Sequence, residues 1–316
     1  MRFGILGGGF GMYGYLPAIA GLDPSRIVTL EKYRPTIRSR PELASLANRI
    51  SVVSNPAKIS NDCDLLVVSK RPSDQEQLVD AALASGWGGT LVLEKPLART
   101  PSAAELMLEK LATAKMRLVV GFTIAETDWV ERLSSEFQLH RPTSIHFDWR
   151  FMAHHYKHGL YNWKRNVSEG GGALRFYAVH LLEVLARMAN WSSLACSPLG
   201  FTDEDPSLTC SLHSTHGRAE INCDSQWTSS PFFSVTLKMG DQILFRHDAP
   251  TPFSNSANDS TNQPGRADSR IIFIRQLLRR AIGGALSDAS IHQEHVRLWG
   301  DLEKLRLAKV SHIEAK

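Results

Sequence analysis

The chain opens on an apolar run that breaks directly into glycine: RFGIL (2–6) followed by GGGFGMYG. A strand that ends in a glycine turn and restarts as a helix points backbone N–H groups and the positive end of the helix at one spot, where an anion can sit. Gly7 suits the sharp turn, and Gly9 suits a place where a pyrophosphate approaches backbone that carries no Cβ. Counted from Gly7, the GxGxxG spacing ends on Met12. Counted from Gly9, it is complete through Gly11 and Gly14, but displaced from the strand. The Gly7 register places Phe10, Gly11 and Met12 along the turn, and these residues join Gly7 and Gly9 as candidate cofactor contacts.

The segments after the turn alternate. RIVTLE (26–31), ISVVS, CDLLVVS (63–69), TLVLEKP and MRLVVGF read as strands, and PELASLANRI, SDQEQLVDAALASG (73–86) and SAAELMLEKLATAK read as helices. Such alternation predicts a Rossmann-type, doubly wound parallel sheet with helices on both faces, over residues 1–121. Glu31 closes the second strand, where a carboxylate can accept hydrogen bonds from the ribose hydroxyls of NAD. Lys32 and Arg34 lie just beyond it and would suit the 2'-phosphate of NADP, so NAD is the expected cofactor and NADP stays open.

After Phe122 the texture changes to period-two alternation in SIHFDWRF (144–151), SLTCSLHST (207–215), RAEINCDSQW (218–227) and FFSVTLKMG (232–240). These read as antiparallel strands. One helix, ALRFYAVHLLEVLARMA (173–189), interrupts them after the glycine run at 170–172. Residues 122–316 are therefore expected to form a second α/β domain with a large, mostly antiparallel open sheet. TPFSNSANDSTNQPGRADS (251–269) reads as a mobile loop, and RIIFIRQLLRRAI and SIHQEHVRLWGDLEKLRLAK as closing helices that pack back on the first domain. An open sheet has a face to cover, which predicts a homodimer or homotetramer.

Composition excludes several classes. At 43% hydrophobic and 22% charged residues, with no apolar window long enough to span a bilayer, the chain reads as a folded, non-membrane protein. Its start carries no secretory pattern, so the cytoplasm is the expected location. A net charge of +4, without a basic run interleaved with aromatics, argues against nucleic-acid binding. Cys63, Cys196, Cys210 and Cys223 form no CxxC pair and read as buried free thiols. MAHHYKH (152–158) brings His154, His155 and His158 together without a nearby carboxylate or cysteine, and reads as a pocket-lining loop, not a metal site. His213, His216 and His247 read as ordinary sheet residues.

LVLEKPL (91–97) puts Glu94, Lys95 and a proline at the carboxyl end of a buried strand, where ligands bind in doubly wound sheets. An ammonium there can orient a nicotinamide or a substrate hydroxyl, and desolvation can tune it as an acid or base. GILGGG, EKP, VGF (120–122), YNWKRN (161–166) and GGGALRFYAVHLLEVL (170–185), in that order and spacing, resemble the glucose-fructose oxidoreductase and inositol dehydrogenase family (Gfo/Idh/MocA). The resemblance implies a Rossmann domain, a nicotinamide cofactor and no metal. It also implies hydride transfer at a hydroxyl-bearing carbon of a sugar, nucleotide sugar or cyclitol. Lys95 matches the family lysine that contacts nicotinamide and the reacting hydroxyl, and His180 matches its helix histidine.

Departures from the family pattern are equally specific. Phe176 stands where the family has an aspartate, four residues before His180. The adjacent Tyr177 points elsewhere on a helix, and Glu183 is placed to orient the His180 ring. SKRPSDQ supplies Ser69, Lys70 and Arg71 after the fourth strand, with Gln75 in the place of a histidine, and Asn166 replaces an aspartate. Ser69, Arg71 and Glu94 thus belong to the cofactor side, and Trp163, Lys164, Tyr177, Lys95 and His180 to the substrate side. More basic groups and fewer carboxylates suit a nucleotide-linked or acidic sugar. The expectation is an NAD(P)-dependent oxidoreductase in which His180 or Lys95 takes the hydroxyl proton. The alternative, motivated by Phe176, is a dinucleotide-binding sensor or scaffold whose chemistry has lapsed.

Overall fold

The computed structural model describes residues 1–197, 203–254, 268–284 and 289–314. Of these, the residues in Met1–Ala98, Glu105–Glu126 and Thr261–Asp288 form one unit, and those in Arg99–Ala104, Thr127–Ser260 and Ala289–Lys316 another.

In the first unit, strands β1 (Arg2–Leu6), β2 (Arg26–Leu30), β3 (Ile50–Val53), β4 (Leu65–Val68), β5 (Thr90–Leu93) and β6 (Arg117–Val120) form one sheet in the order β3-β2-β1-β4-β5-β6. Every ladder is parallel. β4 and β5 are buried at every position, as strands covered on both faces must be. The order reverses between β1 and β4, which leaves a crevice beyond their carboxyl ends. The helices of this half of the chain are α1 (Leu16–Ala20), α2 (Arg34–Ser39), α3 (Pro41–Ala44), α4 (Ala57–Asn61), α5 (Pro72–Ala84) and α6 (Pro101–Thr113). The helix expected in PELASLANRI resolves into α3 and a separate 3₁₀ turn, Ala47–Arg49. The second strand ends at Leu30, and Glu31 opens the 3₁₀ turn that follows.

The second unit holds α7 (Asp128–Leu139), β7 (Ser144–Arg150), α8 (His154–Lys157), α9 (Val179–Ala186), β8 (Ser192–Cys196), β9 (Ser207–Ser214), β10 (Gly217–Asp224), β11 (Phe232–Met239) and β12 (Gln242–Ala249). Its sheet runs β12-β11-β7-β10-β9-β8. Four of its five ladders are antiparallel, as expected of a mostly antiparallel sheet, and β7 and β10 pair in parallel, with Phe147 opposite Ile221. The long excursion through α8, α9, β8 and β9 between them supplies the crossover that a parallel pair needs. Ile145, Phe147 and Trp149 of β7 and Ala219, Ile221 and Cys223 of β10 are buried, while the alternate residues of both strands are half-exposed or, at Arg218, exposed. MAHHYKH contains one helical turn, α8, instead of the expected loop, and the rings of His154 and His158 lie 4.4 Å apart.

Two helices close the described chain. α10 (Arg270–Ile282) belongs to the first unit and packs on α1, where the Arg275 guanidinium fills the space that Gly21 leaves. α11 (Ala289–Glu314) belongs to the second and packs on α9. Most of the predicted loop at 251–269 lies outside the described residues. All four cysteines are buried and free, and among the described residues no helix is long and apolar enough to cross a membrane.

The seam between α9 and α11 is polar inside an apolar frame. Glu183, wholly buried, meets Arg187 at 3.0 Å and His292 Nδ1 at 3.7 Å. Burial alone would raise the Glu183 carboxyl, but the hydrogen bond and charge of His292, with Arg187 and His295, bring it down to about 2. Burial lowers His295 from 6.5 to about 4. A histidine whose folded value is depressed favours the folded state at neutral pH, and that contribution is lost as pH falls from 6.5 toward 4. By pH 5 the loss is on the order of 2 kcal/mol, at about 1.4 kcal/mol per pH unit. The melting temperature should therefore fall by about 5 °C between pH 7 and pH 5, and His295→Gln should flatten that slope. Thermal unfolding followed by circular dichroism checks this, and an unchanged slope in the variant would contradict it.

Candidate functional site

The glycine turn joins β1 to α1 through a π turn, Gly11–Tyr15, that widens the first helical turn. A Cβ on Gly7 would stand 2.2 Å from the Ser69 carbonyl oxygen, so β1 and the end of β4 come together only because residue 7 is glycine. Gly9 is exposed, and a Cβ there would meet nothing within 4 Å. The backbone at this point is open to a ligand that comes close, beside the first N–H groups of a helix, and a pyrophosphate fits it.

Phe10 is half-buried, and Met12 is wholly buried, with its N–H donated to the Gly9 carbonyl at 2.9 Å. Gly11 faces Ile5 and Ser69 at ordinary contact distance, 3.4 and 3.5 Å for a Cβ placed there. Gly14, a compositional coincidence on the Gly7 register, does a definite job: a Cβ there would strike the Phe10 ring at 2.5 Å. Glu31 is exposed at the carboxyl end of β2, beside Lys32, whose ammonium lies 5.5 Å from the Tyr33 ring.

The EKP turn is held from three sides. The Tyr15 hydroxyl donates to Glu94 Oε1 at 2.7 Å, inside the protein. Gly121 makes room for that pair, since a Cβ there would lie 2.5 Å from the Tyr15 oxygen and 2.7 Å from Glu94 Oε1. Gln75, wholly buried, points its Nε2 at the carbonyls of Glu94 (2.8 Å), Leu97 (3.0 Å) and Pro96 (3.2 Å). Burial raises the Glu94 carboxyl above its usual range, against the pull of Lys95, Tyr15 and Arg270. Burial and the neighbouring Glu94 push the Tyr15 phenol well up. Glu94 is therefore a structural carboxylate turned inward, while Lys95, half-buried, follows it past the end of β5. Ser69 is half-buried and tied by its N–H to the Leu6 carbonyl at 2.8 Å, and Arg71 stands exposed at the start of α5.

In the second unit the glycine run seats the YNWKRN segment. A Cβ on Gly171 would lie 2.2 Å from the Trp163 carbonyl oxygen, and the N–H groups of Gly171 and Gly172 donate to the carbonyls of Asn166 (2.8 Å) and Lys164 (2.9 Å). Gly172 itself has φ +86, a conformation that favours glycine. A second π turn, Ala173–Ala178, follows and leads into α9. Its wide turn brings Phe176 edge-on to Trp163 at 5.3 Å, with the Lys164 ammonium 5.2 Å from the Phe176 ring. The Phe176 ring thus faces a cation through its π-face. Tyr177 packs against Phe151 at 4.8 Å and Trp149 at 5.7 Å. His180 is buried on α9, and the Glu183 carboxylate one turn on lies against Arg187 and His292. Burial, with Lys164, Arg165 and His154 and against Glu204, lowers His155 to about 4, and Arg165 is itself paired with Glu204 at 2.6 Å. Among the described residues no group of three or more His, Cys, Asp or Glu is placed to hold a metal.

Tyr15 is a structural support that motif reading passes over, because it acts through Glu94, a residue far along the chain.

The sequence model of the Gfo/Idh/MocA family, described as an oxidoreductase family with an NAD-binding Rossmann fold, matches residues 1–122. The chain is similar in structure to the WlbA dehydrogenase from Bordetella pertussis, solved with NADH and UDP-GlcNAcA, with 15% identity, TM-score 0.76, and 98% of this chain and 96% of that one covered. It is similar to a myo-inositol dehydrogenase from Corynebacterium glutamicum, with 15% identity, TM-score 0.72, and 98% and 97% covered. It is also similar to levoglucosan dehydrogenase, solved with NADH and L-sorbose, with 13% identity, TM-score 0.75, and 98% and 97% covered. No curated protein matches the sequence.

Two alanine variants separate packing from ligand approach. Gly9→Ala should leave the melting temperature of the free protein within about 2 °C, since little is disturbed, yet weaken NADH at least about tenfold by blocking the backbone. Gly7→Ala should cost several degrees before any ligand is added. Scanning fluorimetry with an NADH titration checks both, and a Gly9→Ala protein with parental NADH affinity would contradict the cradle.

Proposed function

We propose that this protein, whose first 122 residues belong to the Gfo/Idh/MocA oxidoreductase family with its NAD-binding Rossmann fold, is a sugar dehydrogenase or reductase acting on a nucleotide-linked or acidic sugar. The observation that carries the reading is the held EKP turn. Tyr15 and Gln75 fix Glu94 and its neighbouring carbonyls, so that Lys95 stands beyond β5 on the same sheet edge as the open backbone of Gly9.

Gly7, Gly9, Phe10 and Gly11 would hold the dinucleotide, Glu31 its adenosine ribose, and Ser69, Arg71 and Lys95 its nicotinamide half. NAD supplies the hydride acceptor, or as NADH the donor. Lys95 orients the reacting hydroxyl, and His180 or Lys95 takes its proton in the oxidative direction and returns it in reduction. Positioned acid or base help contributes on the order of 10² to 10⁴ in rate, so a site without the usual aspartate retains a route to catalysis. The Lys164 ammonium, over the Phe176 ring, supports an anionic substrate group, with Trp163 and Tyr177 as its apolar walls. UDP-GlcNAcA, which is both nucleotide-linked and acidic, accompanies NADH in the WlbA structure and is the first substrate class to test. Exposed Phe232, Met239 and Ile243 on β11 and β12 support a homodimer or homotetramer.

A second reading rests on Phe176. Without the aspartate, the chain would be a dinucleotide-binding sensor or scaffold of the same fold. NADH binding followed by a turnover screen against nucleotide sugars, sugar acids and cyclitols separates the two. The enzyme reading expects turnover on an anionic sugar and a fall of about 10² or more in kcat for Lys95→Met, with NADH affinity within a few fold. Binding without turnover on any of them would favour the scaffold, and a Lys95→Met protein working at the parental rate would defeat the assignment of Lys95.

A further inference from the structure

α10 returns from the far end of the chain to the glycine turn. Its first residue, Arg270, stacks its guanidinium over the Phe10 ring, with Cζ 4.4 Å from the centroid. That ring is fixed: Gly14 makes room beneath it, and Tyr13 and Tyr15 meet it edge-on at 5.5 and 5.6 Å. Phe10 is the residue directly after Gly9, the one open point of the turn. Asp268 takes two edges of the Arg270 fork, Nε at 2.9 Å and Nη2 at 2.6 Å, and also accepts the Arg270 backbone N–H at 3.0 Å. Nη1 is the remaining donor, with no acceptor among the described residues, and the side chain is 34% exposed. Its charge interacts with Tyr13, in the glycine turn, and with Glu94, of the EKP turn.

We propose that Arg270 is a cofactor-binding residue whose Nη1 donates to the pyrophosphate of a dinucleotide lying over Gly9, with Phe10 and Asp268 as the frame that aims it. The proposal rests on the cofactor reading above. A guanidinium with two edges held by a carboxylate and its face on a ring has lost its rotamer freedom before the ligand arrives, which is the condition for an efficient phosphate contact. A residue serving only to start α10 would need the Asp268 bond and nothing at Phe10. The ring stack ties it to the turn. The sequence around Arg270 carries no motif, and its contact is to a residue 260 positions earlier in the chain.

The test uses the full chain and two ligands. NADH and AMP are titrated against the parent, Arg270→Gln and Arg270→Lys at low and moderate salt, with melting temperatures of the free proteins measured alongside. The expected result is a loss of about tenfold or more in NADH affinity for Arg270→Gln, with partial recovery in Arg270→Lys. AMP, which carries only one of the two phosphates, should lose less affinity than NADH, and the salt dependence of NADH binding should be shallower in Arg270→Gln than in the parent. Parental NADH affinity in Arg270→Gln would overturn the proposal while leaving the cofactor reading intact. So would equal losses for NADH and AMP accompanied by a large fall in melting temperature, which would make Arg270 a structural residue. A parent that binds no dinucleotide would overturn the cofactor reading and this proposal with it.

Discussion

The buried hydrogen bond from Tyr15 to Glu94 is the constraint on which the first unit's ligand edge depends. It joins the start of α1 to the end of β5 across the sheet. A carboxylate taken out of water is costly unless it is hydrogen-bonded, and this one is met by a phenol whose own ionisation is suppressed by the same burial. Three other features serve the pair. Gly121 is glycine because any larger residue would displace it. Gln75 holds the carbonyls that follow Glu94, and the widened π turn at Gly11–Tyr15 sets where Tyr15 enters. Lys95 inherits its place from this arrangement.

The first unit was largely legible in the sequence, because its signals are local. Continuous apolar strands, glycine turns and helical spacing led to the parallel sheet, and the observed order β3-β2-β1-β4-β5-β6 has the predicted character. The second sheet was legible in kind but not in full. β8, SSLAC, is mostly exposed and too short to show a period, and β12, QILFRHDA, mixes charge into its alternation. The parallel pairing of β7 with β10 depends on the route of the chain between them, which no local pattern reports. Around the turns the division is similar. The close approach at Gly7 and the open backbone at Gly9 follow from motif position, whereas Tyr15 acts through Glu94, a partner distant in sequence.

The second unit holds its YNWKRN segment by backbone. The glycine run still clasps Trp163 and Lys164 by backbone hydrogen bonds and close approach, so the segment is positioned independently of any side-chain carboxylate. Phe176 then offers Lys164 a ring face, a weaker and less directional partner than an aspartate. Burial is the largest cause of the depressed His155 beside it, with Lys164 and Arg165 adding to it and Glu204 opposing them.

The most direct test of the account is a crystal structure of the protein with NAD bound. The account predicts the pyrophosphate against the backbone of Gly9, the adenosine ribose beside Glu31 and the nicotinamide beside Lys95. A saturated complex with the dinucleotide elsewhere, or with its pyrophosphate away from Gly9, would contradict it.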